Sequence, residues 1–156
     1  MIDLKQMSEK DYEKFREDEI KKYAQMKIDT NEWEPSNSYS RAESDLNYFL
    51  PTQPSTEGLV FLSIIDIDTG NCVGTICYGR LPNQSIQDTY IYDIRIYDEY
   101  QRKGYGQMAL SELEDRLRHT GIKNMILDVS VYNKAAELLY GKSGFITTHY
   151  RMKKKL

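Results

Sequence analysis

The stretch Tyr97-Asp98-Glu99-Tyr100-Gln101-Arg102-Lys103-Gly104-Tyr105-Gly106-Gln107 decides how the rest of the chain is read. Residues 90–97, which alternate between apolar and polar, run into it. From Gly104 onward the apolar positions Met108, Leu110, Leu113 and Leu117 keep helical spacing. The stretch is therefore a turn from a strand into a helix. Glycine lets the backbone come close to a ligand and adopt conformations that other residues resist. The first turn of a helix carries unpaired N–H groups and the positive end of the helix dipole, a ready site for phosphate. Arg102 and Lys103 stand where they add charge. On physical grounds this is a phosphate-binding turn; the alternative is an ordinary helix start whose glycines ease the bend.

Working outward, the strand before the turn is expected to show Tyr90, Tyr92, Ile94 and Ile96 on one face and Asp93 and Arg95 on the other. Upstream, residues 59–67 and 72–78 flank the turn chemistry of Asp68-Thr69-Gly70-Asn71, a hairpin signal, and residues 81–88 read as a loop. Nearer the start, a short strand (2–4) precedes a helix capped by Ser8, with apolar positions at Tyr12, Phe15, Ile20, Tyr23 and Met26. Residues 31–38, which include Pro35, read as a loop. A second helix (41–50) is expected to stop before Pro51, because the residue ahead of proline avoids the helical region. Downstream, the helix that opens at Gly104 runs to Gly121, followed by a strand (125–131), a helix (134–142) ended by Gly144, and an extended run (145–153). This order predicts a single α/β domain, residues 1–156, around a partly antiparallel sheet.

The length of 156 residues suits one domain, large enough to bury roughly 70% of its unfolded surface. Forty per cent apolar and 29% charged residues are globular values. The net charge of −3 argues against a nucleic-acid binder. No apolar run long enough for a membrane span or a signal peptide is present, which predicts a cytoplasmic protein without membrane contact. Cys72 and Cys77 should face opposite ways from one strand and stay reduced, and two thiols fall short of a structural zinc set.

The run from Gly104 to Ala109 also fits the G-x-G-x-x-G/A dinucleotide fingerprint, with Asp128 near the place of a ribose-binding acid. The residues that follow are too few for the successive βα units of a doubly wound sheet. A nucleotide-cofactor oxidoreductase is therefore the weaker reading.

Gln101-Arg102-Lys103-Gly104-Tyr105-Gly106 resembles the Q/R-x-x-G-x-G/A coenzyme A motif of the GNAT N-acetyltransferase superfamily. Asn133-Lys134-Ala135-Ala136-Glu137-Leu138-Leu139-Tyr140-Gly141-Lys142-Ser143-Gly144-Phe145 resembles that family's second signature, N-x-x-A-x-x-L-Y-x-x-x-G-F. The element order is similar over essentially the whole chain. The resemblance implies an α/β (α+β) fold with a twisted, mixed and mostly antiparallel sheet flanked by helices. In that fold the fourth and fifth strands splay apart. It also implies an acetyl-CoA-dependent N-acetyltransferase that transfers directly, with no metal, to a primary amine of a small-molecule or peptide acceptor. A non-catalytic acyl-CoA-binding module is the rival that keeps the pocket without turnover.

Residue by residue, the resemblance places the backbone of Ile94, Arg95 and Ile96 beside the acyl arm. It gives the pyrophosphate to the amides of Arg102, Lys103, Gly104, Tyr105, Gly106 and Gln107. The amide of Ile96 becomes the oxyanion donor and Tyr140 the proton donor to the leaving thiolate. Asn133 and Tyr140 lie about two helical turns apart and project from nearly one face, while Ala135, Leu138 and Leu139 are expected to pack on the sheet. Tyr140 also reads as a structural aromatic, and Asn133 as a helix N-cap. An attacking amine, of reference pKa about 10.4, has to lose a proton. Asp93 and Asp128 are the candidate bases, and a merely solvated or salt-bridged carboxylate is the alternative for each. Trp33, Glu34 and Tyr39 fall in the loop that lines the acceptor side in similar proteins. Only residues 146–156 follow Phe145, so the long final hairpin usual in the family is shortened; a homodimer is one way to complete the acceptor wall. Arg151, Lys153, Lys154 and Lys155 read as a solvated edge strand guarded by lysines.

Overall fold

A computed structural model describes the chain apart from residues 48–49, 51–56, 82–84, 153 and 155. In chain order its elements are β1 (Ile2–Gln6), α1 (Glu9–Asp29), α2 (Ser38–Leu46), β2 (Leu59–Asp66), β3 (Cys72–Gly79), β4 (Asp88–Ile96), α3 (Tyr105–Arg118), β5 (Asn124–Ile126) and α4 (Lys134–Lys142). Short 3₁₀ turns cover Pro35–Asn37 and Asp98–Tyr100. No helix of the described residues is long and apolar enough to cross a membrane.

The sheet runs β1-β2-β3-β4-β5 in sequence order. Its first three pairings are antiparallel and the last, β4 with β5, is parallel. A single parallel pair at one end is incompatible with the doubly wound sheet of a dinucleotide-binding oxidoreductase. One face of the sheet is covered by α3, whose Ala109, Leu110, Leu113 and Leu117 bury against Leu4, Leu62, Ile64, Val73, Ile76 and Ile91. The helical spacing of those four residues makes this stripe, and each large side chain removed from water contributes roughly 1.5–3 kcal/mol. The opposite face carries α1, through Tyr12 and Phe15 on Phe61 and Cys77. The Tyr12 ring meets Phe61 edge-on at 4.9 Å. Ser8 caps α1 by accepting the Asp11 N–H at 3.1 Å. Arg16 ties α1 to α2 through Glu43 at 3.2 Å.

Several sequence expectations need correction. Between Cys77 and Tyr78 the register with β4 slips, leaving Tyr92 as an extra residue in a β-bulge. The bulge reverses the alternation, so Ile91 shares the α3 face with Ile94 and Ile96. Tyr92 instead lies exposed, with its hydroxyl donating to the Arg80 carbonyl at 3.4 Å. The second helix begins at Ser38 and ends at Leu46, earlier than expected, while the expected stop at Pro51 lies outside the described residues. The fifth strand stops at Ile126, five residues short, because β4 diverges from it. On α4 the inward positions are Ala136, Leu139 and Tyr140, while Ala135 and Leu138 face solvent. Residues 145–152 form no strand in the sheet and expose Ile146, Tyr150 and Met152; Lys153 and Lys155 lie outside the described residues. Cys72 and Cys77 are both free, as expected.

Gly74 on β3 shows how closely the two central strands meet. A Cβ at this position would sit 2.1 Å from the Arg95 carbonyl oxygen. Gly74→Ala therefore has to push β4 off β3, and overpacking of this kind costs roughly 1–3 kcal/mol. Urea unfolding of the variant should show that loss, whereas a midpoint equal to wild type would contradict the close approach.

Candidate active site

The parallel pairing of β4 and β5 spans only Asp88↔Asn124, Thr89↔Met125 and Tyr90↔Ile126. Side chains hold this closed end together. The Asn124 amide donates to Asp88 at 2.7 Å, and the Tyr90 hydroxyl donates to Asp128 at 3.0 Å. Beyond it the strands part, and a cavity of about 210 Å³ opens between residues 91–94 on one side and residues 127–130 with Asn133, Ala136 and Tyr140 of the α4 region on the other. The Tyr97 N–H bonds to the Val73 carbonyl of β3. Antiparallel alternation then turns the peptide groups of Ile96 and Ile94 toward the gap and those of Arg95 toward β3. The Ile96 carbonyl already receives the Gln101 side-chain amide at 3.1 Å, and a second bond from that amide, to Asp98 at 2.8 Å, locks Gln101 into the turn.

The turn itself ends in left-handed backbone, at Arg102 (φ 62°) and Gly104 (φ 83°). Gly104 occupies the N-cap of α3, so no side chain closes that helix end, and its first-turn amides point outward as an anion site does. Lys103 folds back, with its ammonium on the Glu99 carbonyl at 2.9 Å and 5.5 Å above the Tyr100 ring. Tyr105 is drawn away from the turn by its hydroxyl, which donates to Asp66 at 2.7 Å. Gly106 is small for a packing reason: a Cβ there would meet Leu139 of α4 at 3.0 Å and Ile96 at 3.8 Å. The helix that presents the amides thus packs directly against the strand and helix that line the gap.

Asn133 caps α4, its side-chain oxygen accepting the Ala136 N–H at 3.1 Å, and also lines the cavity. Asn133 is thus the N-cap of α4 and stands at the cavity edge. Tyr140 is half-buried against Phe145, with ring centroids 5.6 Å apart. Burial first, and the Asp93 charge second, raise its phenol above the ordinary value, so it stays protonated through neutral pH.

The other wall belongs to α1, which runs along β4. Lys14 lies 4.4 Å over the Tyr97 ring, Arg95 pairs with Asp18 at 3.6 Å and with Glu19, and Lys22 pairs with Asp93 at 3.2 Å. Four helical residues rise about 6 Å and two strand residues about 6.6 Å. Positions 14, 18 and 22 therefore keep step with 97, 95 and 93. Asp93 is largely buried, and its Oδ2 has no hydrogen-bond partner among the described residues. Burial, then the Asp93 charge, pushes the Glu19 carboxyl up. Burial followed by the charges of Asp93 and Glu19 likewise pushes up the Cys77 thiol, which keeps it un-ionised and inert.

Of the sequence-chosen residues, Asp93, Ile94, Asn133 and Tyr140 line one cavity. The stretch from Gln101 to Gln107 forms the adjoining turn. Arg95 turns its side chain to α1. Asp128 lines the cavity too, but is held by Tyr90. Trp33, Glu34 and Tyr39 are not brought to it: Trp33 packs on Tyr23 at 5.6 Å and under the Arg41 guanidinium at 4.6 Å, and so joins α1 to α2. Lys22 and Glu19 escaped the sequence reading. Their signal is the charged series Lys14, Asp18 and Lys22 at four-residue spacing beside the apolar stripe of α1.

A mixed sheet split between its last two strands, with an open helix N-terminus at the split, is the arrangement that the resemblance to N-acetyltransferases implies. Residues 12–145 match the acetyltransferase (GNAT) family. The chain belongs to that family and is an N-acetyltransferase. It is 28% identical over 153 residues to the Bacillus subtilis N-acetyltransferase YdgE, covering 98% of this chain and 97% of that protein. The crystal structure of the Bacillus subtilis acetyltransferase YycN superposes with a TM-score of 0.84 at 28% identity, covering 100% of this chain and 99% of that one. The fold also matches PaiA N-acetyltransferase from Thermoplasma acidophilum, solved in complex with coenzyme A, with a TM-score of 0.66 at 18% identity over 97% of this chain and 93% of that one.

The Asp93 charge disfavours the Tyr140 phenolate, so Asp93→Asn should move Tyr140 ionisation to lower pH. Alkaline difference spectra against Tyr140→Phe isolate this tyrosine from the others; an unmoved midpoint would mean the two groups do not sense each other.

Proposed function

We propose that the protein transfers an acetyl group from acetyl-CoA to a primary amine of a small-molecule or peptide acceptor. The observation that carries this reading is the gap between β4 and β5, with Asp93 on its α1 wall, Tyr140 on its α4 wall and the uncapped start of α3 beside it. The residues suit the coenzyme. Amides at the start of α3 converge as a diphosphate needs, and the Ile94 and Ile96 peptide edge suits the amide-bearing pantetheine arm. Acetyl-CoA, when bound, supplies the activated thioester. PaiA, whose fold this chain shares, is described with coenzyme A, which supports the same partner here.

The chain's own groups then divide the work. Asp93 takes a proton from the incoming ammonium, directly or through one water. The Ile96 N–H donates to the oxyanion that develops on the carbonyl oxygen of the acyl group, and a preorganised donor of this kind is worth roughly 2.7–4 kcal/mol. Tyr140 donates to the departing thiolate. Its raised pKa fits a donor that must remain protonated at working pH. A carboxylate and a phenol lining one gap support turnover, and a module built only to hold acyl-CoA requires neither.

Two variants test this reading. Tyr140→Phe should lower acetylation of an amine panel by roughly 10²–10⁴-fold while coenzyme A affinity, measured by calorimetry, holds. Equal rates at every pH would remove the acid role. Gly104→Val forces a β-branched residue into left-handed backbone at a strain of about 1–3 kcal/mol. Coenzyme A affinity should then fall roughly ten- to a hundredfold; a folded variant that binds normally would move the diphosphate elsewhere.

A further inference from the structure

Resting on the transferase reading above, we propose that Lys22 is an internal acceptor, acetylated in cis by this same site. Lys22 is the only lysine among the described residues that line the cavity. Its ammonium lies 3.2 Å from Asp93 Oδ1 and 3.4 Å from Glu19 Oε1. That is the place an acceptor amine takes if Asp93 is the base. Its side chain is 60% exposed, so the stem is free to swing while its backbone is fixed. Arg95 clamps Asp18 and Glu19, the turn of α1 just before Lys22, onto β4. The second oxygen of Asp93 is buried and has no hydrogen-bond partner among the described residues, which leaves it open to accept a proton. Lys21, its neighbour on the helix, pairs with Glu17 at 2.5 Å and does not line the cavity.

The step balances. The Lys22 nitrogen forms a bond to the thioester carbonyl carbon, the oxyanion rests on the Ile96 N–H, and the carbon–sulfur bond breaks. Of the two protons the ammonium gives up, one passes through Asp93 to solvent and the other ends on the coenzyme sulfur by way of Tyr140. The products are Nε-acetyl-Lys22 and coenzyme A. An amine already held beside the reacting carbon escapes the entropy of a bimolecular encounter. The product amide carries no charge, so acetylation also dissolves the ion pairs with Asp93 and Glu19 and frees the wall that an external amine would use.

The test incubates the full chain with acetyl-CoA and follows each lysine by peptide mass spectrometry, with 1,5-diaminopentane as the external acceptor in parallel. Lys22 should gain one acetyl group at least about 10²-fold faster than Lys21, at a rate unchanged when the protein is diluted. Tyr140→Phe should slow it by roughly the same factor as it slows acetylation of the diamine, and Lys22→Arg should remove the modification while leaving the fold intact by circular dichroism. Modification of Lys22 no faster than Lys21, a rate that rises with protein concentration, or indifference to Tyr140→Phe overturns the proposal. If the diamine is acetylated while Lys22 stays unmodified, the proposal fails and the transferase reading survives. If neither amine is acetylated and coenzyme A does not bind, both fail.

Discussion

Hydrogen bonding between β4 and β5 lasts for three residue pairs and then stops, and strand amides that leave a ladder need other partners. That shortage is the constraint from which the rest of the site follows. The bulge at Tyr92 turns β4 away at the level where β5 ends. The staples Asn124 to Asp88 and Tyr90 to Asp128 keep the base of the split closed. What opens is a wedge with peptide groups on one edge, of the kind an amide-bearing arm completes as a strand would. Gly106, packed under Leu139 and Ile96, brings the amides of α3 to the same opening.

The second wall depends on a coincidence of lengths. One turn of helix and two residues of strand advance by nearly the same distance, so α1 meets β4 at Lys14 on Tyr97, Asp18 and Glu19 on Arg95, and Lys22 on Asp93. Exposed pairs of this sort add little to stability one by one. Here they act by position. They hold a carboxylate and an amine at the mouth of the gap, facing the phenol of Tyr140 across it.

Much of the architecture was readable in the chain, because short-range patterns carry it. The apolar spacing of Leu110, Leu113 and Leu117 marks α3. The Asp68–Asn71 turn marks the β2–β3 hairpin, and Asn133 with Gly144 brackets α4. Where reading failed, a longer-range contact intervened. Strict alternation put Tyr92 with Ile94, since nothing local announces a bulge that arises from register with β3. The strand after Ile126 was read as too long because its apolar residues look the same whether or not β4 stays beside it. The packing of Trp33 between Tyr23 and Arg41 was likewise invisible in its loop position.

The amino-acid sequence by itself determined the order of elements, the open glycine turn before α3, the Asn133 and Tyr140 pair on α4 and membership of the family. Each of these is encoded within one turn or one strand. Only the tertiary structure decided that Asp93 is buried beside the gap with one oxygen unpartnered among the described residues, that Asp128 is exposed and takes the Tyr90 hydroxyl, and that Lys22 reaches Asp93. Those two residues lie far apart in the chain. Their meeting depends on how a whole helix settles against a whole strand, a geometry set by packing between surfaces that no local pattern records.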